Sequence, residues 1–442
     1  MNQFQLLRSR RFLPLFWTQF LGAFNDNVYK NALIILIIFQ GDKLYGIDTN
    51  IIVTLSAGVF ILPFFLFSAT AGQFADKYEK SRLIRQVKLL EIIIMSFAMI
   101  GFYFESIPIL ITLLFLMGTQ SSLFSPLKYS ILPQHLDAVE LTGGNGLISM
   151  GTFLAILLGT ILGGLLISVE QYGPFMIACV VVSLAVLGFF ASRFIPSAKA
   201  ADPTLNINWD IATQTFKIMQ YALEKRSVFI AIMAISWFWF IGATYLSQMP
   251  AYSKYILGGN NEVVTLLLTM FSIGIGLGSI MCEKMSGGRI ELGLVPLGAI
   301  GIILFSVDNY FASQYFFTLS LPEAQMNASQ FLDMTGSLRV LIDLALIGLF
   351  GGFYVVPLNA MIQTRTHSRH RARVIAASNI LNALFMVISA IGTVGMLQLG
   401  FSIPQIFLSL GGLSVIVTGT LFFLHPEFVE RFGKWLHLTI NH

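Results

Sequence analysis

Residues 51–104 read IIVTLSAGVFILPFFLFSATAGQFADKYEKSRLIRQVKLLEIIIMSFAMIGFYF. Two apolar runs, near 51–75 and 83–104, flank a short segment holding Asp76, Lys77, Glu79, Lys80 and Arg82. Each run exceeds the roughly 18 residues that mark a membrane-helix candidate. A charged turn this short returns the second run beside the first. In hydrocarbon each backbone polar group must be satisfied within its element, so helices are expected, and strand-period alternation is absent.

The pattern repeats along the chain. Spans fall near 12–39, 51–75, 83–104, 108–127, 142–168, 173–195, 228–250, 262–283, 292–310, 339–358, 374–398 and 402–424. The composition agrees: 56% of residues are hydrophobic, 11% are charged, and mean hydropathy is +0.78. A soluble domain carries about 25% charged residues. The net charge of +4 belongs to short loops beside spans, where basic residues set topology, so nucleic acid is not an expected partner. Cys179 and Cys282 show neither metal nor redox spacing and read as small apolar packers. Arg8, Arg10 and Arg11 precede a run too long for a signal peptide and without a small-residue cleavage site, so it reads as a retained first span.

With the N-terminus placed inside, 21 of the 26 Lys and Arg fall on inner segments. Only Lys43, Lys254 and Arg339 fall outside, while Lys30 and Lys128 lie within spans. Both termini are therefore expected in the cytoplasm. Segment 196–227 reads as a linker followed by an amphipathic helix lying on the membrane, with Ile207, Ile211, Ile218 and Leu223 among polar residues. It separates a six-span half, 1–195, from a second, 228–424, and an amphipathic tail, 425–442, follows with Phe428, Phe432, Trp435 and Leu436 on one face. The outer loop near 311–338 reads as a partly ordered cap or a tolerated insertion.

The halves resemble each other. Phe20-Leu21-Gly22-Ala23 matches Phe240-Ile241-Gly242-Ala243, Phe124-Ser125-Pro126-Leu127-Lys128 matches Val355-Val356-Pro357-Leu358-Asn359, and Asn145-Gly146-Leu147 matches Asn379-Ile380-Leu381. Three matches in order, about 220 to 234 residues apart, point to parallel duplication. The expectation is an all-α membrane protein of twelve transmembrane helices in two six-helix pseudo-repeats.

An ionisable group at membrane depth costs about 3 kcal/mol on insertion scales and normally has a partner or a task. Span 1 holds Asn25-Asp26-Asn27, with Lys30 one turn after Asp26. The two charges either neutralise each other at i,i+4 or face a substrate. Lys128 follows Pro126 near the inner end of span 4, where it either snorkels to the cytoplasm or holds a phosphate. Pro126 and its counterpart Pro357 are expected to break their helices. Glu91 with Lys88, and Asp343 with Arg339, read as local pairs. No metal ligand set, P-loop or Ser-His-Asp arrangement appears, so neither cofactor nor catalysis is expected. The His-x4-Asp signature of glycerolipid acyltransferases is also absent: Glu140 stands five residues after His135, and Ala372 five after His367.

The loop Gly72-Gln73-Phe74-Ala75-Asp76-Lys77-Tyr78-Glu79-Lys80-Ser81-Arg82 resembles the major-facilitator signature. Gly72 would let span 2 pack closely, Asp76 would accept from a helix N-terminus or an Arg, and Lys77, Lys80 and Arg82 would hold the loop inside, the set acting as a conformational gate. Together with Gly22 to Asn27, Phe124 to Tyr129 and Gly351 to Asn359, it resembles the bacterial lysophospholipid transporters of the major facilitator superfamily, over nearly the whole chain. It also looks like the transporter half of fused transporter–acyltransferase proteins.

The resemblance implies inner-membrane flipping of lysophospholipids, chiefly lysophosphatidylethanolamine, from outer to inner leaflet, where a separate acyltransferase re-acylates them. It carries over Asp26 and Lys128 as site residues. Asn25, Asn27, Lys30, Tyr129 and Asn359 complete the expected substrate-binding set, among membrane lipids as surroundings. One position departs: a basic residue expected near Thr244 to Ser247 is missing, and Gln248 is the nearest long polar side chain. The alternatives are a proton-coupled exporter of amphipathic drugs or a siderophore, with Asp26 as its proton site, and a non-transporting scaffold for a lipid-synthesis enzyme.

Overall fold

A computed structural model describes residues 3–39, 43–44, 46–318 and 324–440. Twelve long helices run through these residues: α1 (Leu13–Phe39), α2 (Thr49–Lys77), α3 (Lys80–Tyr103), α4 (Ile107–His135), α5 (Leu141–Ile167), α6 (Gly173–Ser192), then α8 (Arg226–Tyr255), α9 (Asn261–Ser286), α10 (Leu294–Phe317), α12 (Ser337–Arg365), α13 (Arg371–Gln398) and α14 (Ile403–Leu424). Three shorter helices intervene or follow: α7 (Ile211–Leu223), α11 (Ala328–Asp333) and α15 (Glu427–Ile440). A two-residue hairpin, β1 (Lys43–Leu44) with β2 (Ile47–Asp48), joins α1 to α2. Ten of the long helices are apolar and long enough to span a bilayer by composition alone. Leu165, Ile391, Ile416 and Phe423, all within such helices, are largely exposed. In a membrane that surface meets acyl chains.

The spans begin and end where local chemistry allows. Ser402 and Gln405 form a reciprocal capping box at the start of α14, with Pro404 in its first turn. Asn260 caps α9, which ends at Gly287 in the left-handed region at φ 61°. α4 continues two turns past the expected end of its span, to His135. Neither proline breaks its helix: α4 runs on through Pro126 and α12 through Pro357. A proline removes one N–H, which a packed bundle tolerates without ending the helix.

By packing, the described residues form two units. The first comprises Met1–Gly144, Leu154–Arg226 and Gln363–Ala383. Its core joins Val28, Tyr29 and Leu33 of α1, Met95 and Phe102 of α3, Leu110 and Met117 of α4, and Val181 of α6. Gly159 and Gly163 of α5 meet the α1 backbone so closely that an added Cβ would lie 2.6 Å from the Phe24 carbonyl and 2.5 Å from that of Val28. That contact fixes the polar stretch of α1.

The linker of this unit is ordered. Ala198 accepts from the Lys80 N–H at 3.0 Å and donates its own to Glu79 at 2.6 Å. Asp202 N–H reaches the Asp76 carbonyl at 2.8 Å, and the Gln73 amide exchanges two bonds with the Asn208 backbone. α7 turns Gln214, Ile218 and Ala222 inward but leaves Ile211, Phe216 and Leu223 exposed, so only Ile218 of the expected apolar helix face is buried.

The second unit comprises Asn145–Phe153, Ser227–Ile362 and Leu384–His442. Tyr245 stacks on Phe407 at 4.2 Å within its core. Residues 324–334 form an ordered cap: Asn260 and Met326 pair through their backbones with α11 beside them. α15 docks through Trp435, whose ring N–H donates to the Met285 carbonyl at 3.0 Å.

Candidate functional site

The polar stretch of α1 divides its side chains among neighbours. Asn25 is buried and donates to Glu91 Oε1 of α3 at 3.0 Å. Asn27 turns back to the Ala23 carbonyl of its own helix. Asp26, half-buried, accepts from the Ser121 hydroxyl of α4 at 2.8 Å. Lys30 does not close on Asp26. Its ammonium lies 4.5 Å over the Phe60 ring of α2, and it stays partly exposed. Lys128 of α4, also partly exposed, lies 4.7 Å over its neighbour Tyr129. Both ammonium groups interact electrostatically with Asp26. One face of α1 and α4 therefore presents a carboxylate and two cations, none of them fully buried.

Beneath that face lies a closed network. Lys88 forms the expected local ion pair with Glu91, which also accepts from Gln120 Nε2 of α4 at 3.0 Å. The Lys88 ammonium fits between Gly22 of α1 and Gly188 of α6, where an added Cβ would meet it at 3.0 and 2.9 Å. Glu91 thus ties α1, α3 and α4 at the level of Asp26. The run Thr119-Gln120-Ser121-Ser122 was the available signal for this partner surface. Hydroxyls in helices usually bond their own i−4 carbonyl, which hides them among apolar residues.

Of the expected gating residues, Gly72 and Asp76 come together at the start of α13. A Cβ on Gly72 would lie 2.9 Å from both Ala376 Cβ and Arg373 Cα. Asp76 accepts from the N–H groups of Ala372 and Arg373 and from the Arg373 guanidinium. Arg373 also reaches Asp202 of the linker at 3.3 Å, and Arg369 pairs with Asp202 at 3.2 Å. Lys80 is buried, whereas Lys77 lies over Tyr78 and Arg82 is exposed. Asn359 lies half-buried in α12 of the second unit.

Three comparisons bear on this arrangement. A family model described as the Major Facilitator Superfamily matches residues 15–390. The lysophospholipid transporter LplT of Yersinia pestis (strain Pestoides F) is 27% identical over 385 residues, covering 85% of this chain and 84% of that protein. LplT of Yersinia pseudotuberculosis serotype I (strain IP32953) is similar to the same extent. Among solved structures, the human organic anion transporter MFSD10 superposes with a TM-score of 0.73 at 13% identity, covering 94% of this chain and 99% of that one. The transporter FucP gives 0.68 at 12% identity, covering 94% and 98%. These structural likenesses show the fold.

Proposed function

The chain belongs to the major facilitator superfamily, and from that premise we propose that it moves lysophospholipids, chiefly lysophosphatidylethanolamine, from the outer to the inner leaflet of a bacterial inner membrane. The observation that carries this reading is the partly exposed group of Asp26, Lys30 and Lys128, on a chain resembling lysophospholipid transporters over 85% of its length. A lysophosphatidylethanolamine headgroup carries a phosphate and an ammonium. Asp26 matches the ammonium; Lys128 and Lys30 match the phosphate. Tyr129, under the Lys128 ammonium, belongs to the same face, while Asn25 holds Glu91 beneath it and Asn27 bonds its own helix. The single acyl chain needs only apolar surface. Both termini lie in the cytoplasm in this reading, so lipid is delivered to the leaflet where a separate acyltransferase restores its second chain. The Gly72 to Arg82 loop acts as a gate through the Asp76 contacts. The protein is a carrier, not an enzyme.

The test is uptake of labelled lysophosphatidylethanolamine into proteoliposomes, comparing wild type with Asp26→Ala and Lys128→Ala. Saturable movement that either substitution abolishes, in protein that still inserts, supports the reading. Movement no faster than in empty vesicles overturns it.

A further inference from the structure

Most hydroxyls of α4 turn back on their own helix. Thr112, Thr119, Ser122 and Ser130 each donate to a carbonyl about one turn earlier. Ser121 and Ser125 reach to other helices instead. Ser121 donates to Asp26 of α1 at 2.8 Å, and Ser125 to the side-chain oxygen of Asn379 in α13 at 3.1 Å. Ser121, Ser125 and Lys128 recur at i, i+4 and i+7, so they line one face of α4. Helical side chains lean toward the N-terminus of their helix, which brings the Lys128 stem back over the turn that holds Ser125. Asn379 therefore meets the face that carries Asp26 and Lys128, and it does so inside the first unit.

That contact satisfies only half of the Asn379 amide. Its oxygen accepts from Ser125, while Nδ2 is shut off from solvent and has no hydrogen-bond partner. A buried donor left unused is costly and calls for an account. Packing does not require the hydroxyl that faces it: in the matching segment of the second half, Val356 stands where Ser125 does. Asn379 is half-buried as a whole, and the terminal torsion of an asparagine is broad, so the amide can turn without moving α13.

We propose that Asn379 is a further headgroup residue, whose amide N–H groups donate to the phosphate that Lys128 attracts; that the phosphate belongs to a lysolipid rests on the lipid-carrier reading. A phosphate ester offers oxygens that only accept, and an amide supplies two donors without a charge of its own. A lysine ammonium draws a phosphate as a point charge on a flexible stem, whereas an amide on a second helix adds direction. One and two turns earlier on α13, Ala376 and Arg373 hold the same unit through Gly72 and Asp76. When Asn379 turns to phosphate, Ser125 loses its partner and returns to its own helix. One of the contacts between α13 and the first six helices is then given up as the headgroup arrives, which couples binding to the release of α13.

The experiment compares three single-chain lipids: lysophosphatidylethanolamine, lysophosphatidylglycerol and monoacylglycerol, which lacks the phosphate. Each is measured for binding to purified protein in nanodiscs and for uptake into proteoliposomes. Asn379→Ala should weaken both phospholipids alike, by roughly 10- to 150-fold, and leave monoacylglycerol unchanged. Asn379→Asp, close in size, should weaken them further, because its carboxylate repels the phosphate. Ser125→Ala frees the amide from its present bond and should keep or tighten phospholipid binding. Where Asn379→Ala fails to fold, the other two variants still decide. Equal losses in Asn379→Ala and Ser125→Ala would mean that Asn379 only tethers α13 to α4, and overturn the proposal. Unchanged phospholipid binding in Asn379→Ala, or an equal loss of monoacylglycerol, overturns it as well. Wild type that binds the phospholipids without moving them sinks the carrier reading, while the binding comparison still decides Asn379. Wild type that binds neither phospholipid overturns both.

Discussion

Arg373 sets its guanidinium Nε 3.0 Å from Asp76 Oδ2, while the N–H groups of Ala372 and Arg373 donate to the same carboxylate at 3.1 and 3.2 Å. Asp76 lies at the end of α2 and Arg373 at the start of α13. One carboxylate is therefore both ion partner and N-terminal cap of α13. Both side chains are buried, so removing one strands the charge of the other. Asp76→Ala and Arg373→Ala should each cost about 3 to 5 kcal/mol, read as a lowered unfolding midpoint in detergent. The double variant should lose clearly less than the two single losses combined. Strict additivity would show that the two residues act apart.

Glu79 makes the linker sensitive to acid. Burial works to raise its carboxyl, but the Ala198 N–H, the Ser81 side chain and the N–H groups of Arg82 and Ser81 outweigh that and hold it below the usual carboxylate range. A depressed folded value means the stabilisation is complete above the unfolded glutamate value of about 4.3 and is lost as pH falls through the lower folded value. Hydrogen exchange of peptides spanning residues 196–210, corrected for intrinsic rates, should therefore accelerate as pH drops from neutrality to below that range. Glu79→Gln should exchange faster at neutral pH and show little further change.

How far the sequence could be read follows from how local each signal is. Spans are legible because twenty apolar residues have only one cheap arrangement in lipid, and Asn25 and Asp26 stand out because nothing in such a run disguises them. The partner of Asp76 lies 297 residues away, and no spacing rule reaches it. Arg339 and Asp343 mislead for the opposite reason. Their spacing permits a pair, but bidentate geometry to Asp308 is better, and only the fold reveals that α10 supplies it. The linker gives no hint of its contacts, because the small-polar run after Pro196 has no apolar periodicity to read. Its order comes from backbone bonds to Glu79, Asp76 and Gln73, which composition does not encode.

The Lys88–Glu91 pair separates stability from positioning. Glu91→Leu should strand the Lys88 ammonium between Gly22 and Gly188 and lower stability by about 3 to 5 kcal/mol. Lys88→Met with Glu91→Leu removes both charges at similar volume, and most of the stability should return. Lipid uptake should not return with it, because Glu91 also holds Asn25 of α1 and Gln120 of α4, at 3.0 Å each. Thermal melts and uptake on the same preparation test this. Full recovery of transport in the double variant would mean that Glu91 only neutralises Lys88.

Headgroup choice gives the most direct test of the Asp26 and Lys128 assignments. Lysophosphatidylethanolamine carries an ammonium, lysophosphatidylglycerol does not, and both carry a phosphate. If Asp26 meets the ammonium, Asp26→Asn should raise the half-saturating concentration for the ethanolamine lipid and leave the glycerol lipid nearly unchanged. A hydrogen bond to a charged group is worth about 1.5 to 3 kcal/mol, which sets the expected rise at roughly 10- to 150-fold. Lys128→Gln should weaken both lipids together, because it loses the phosphate they share. An Asp26→Asn change that weakens both equally would move Asp26 from headgroup recognition to holding α1 against α4 through Ser121.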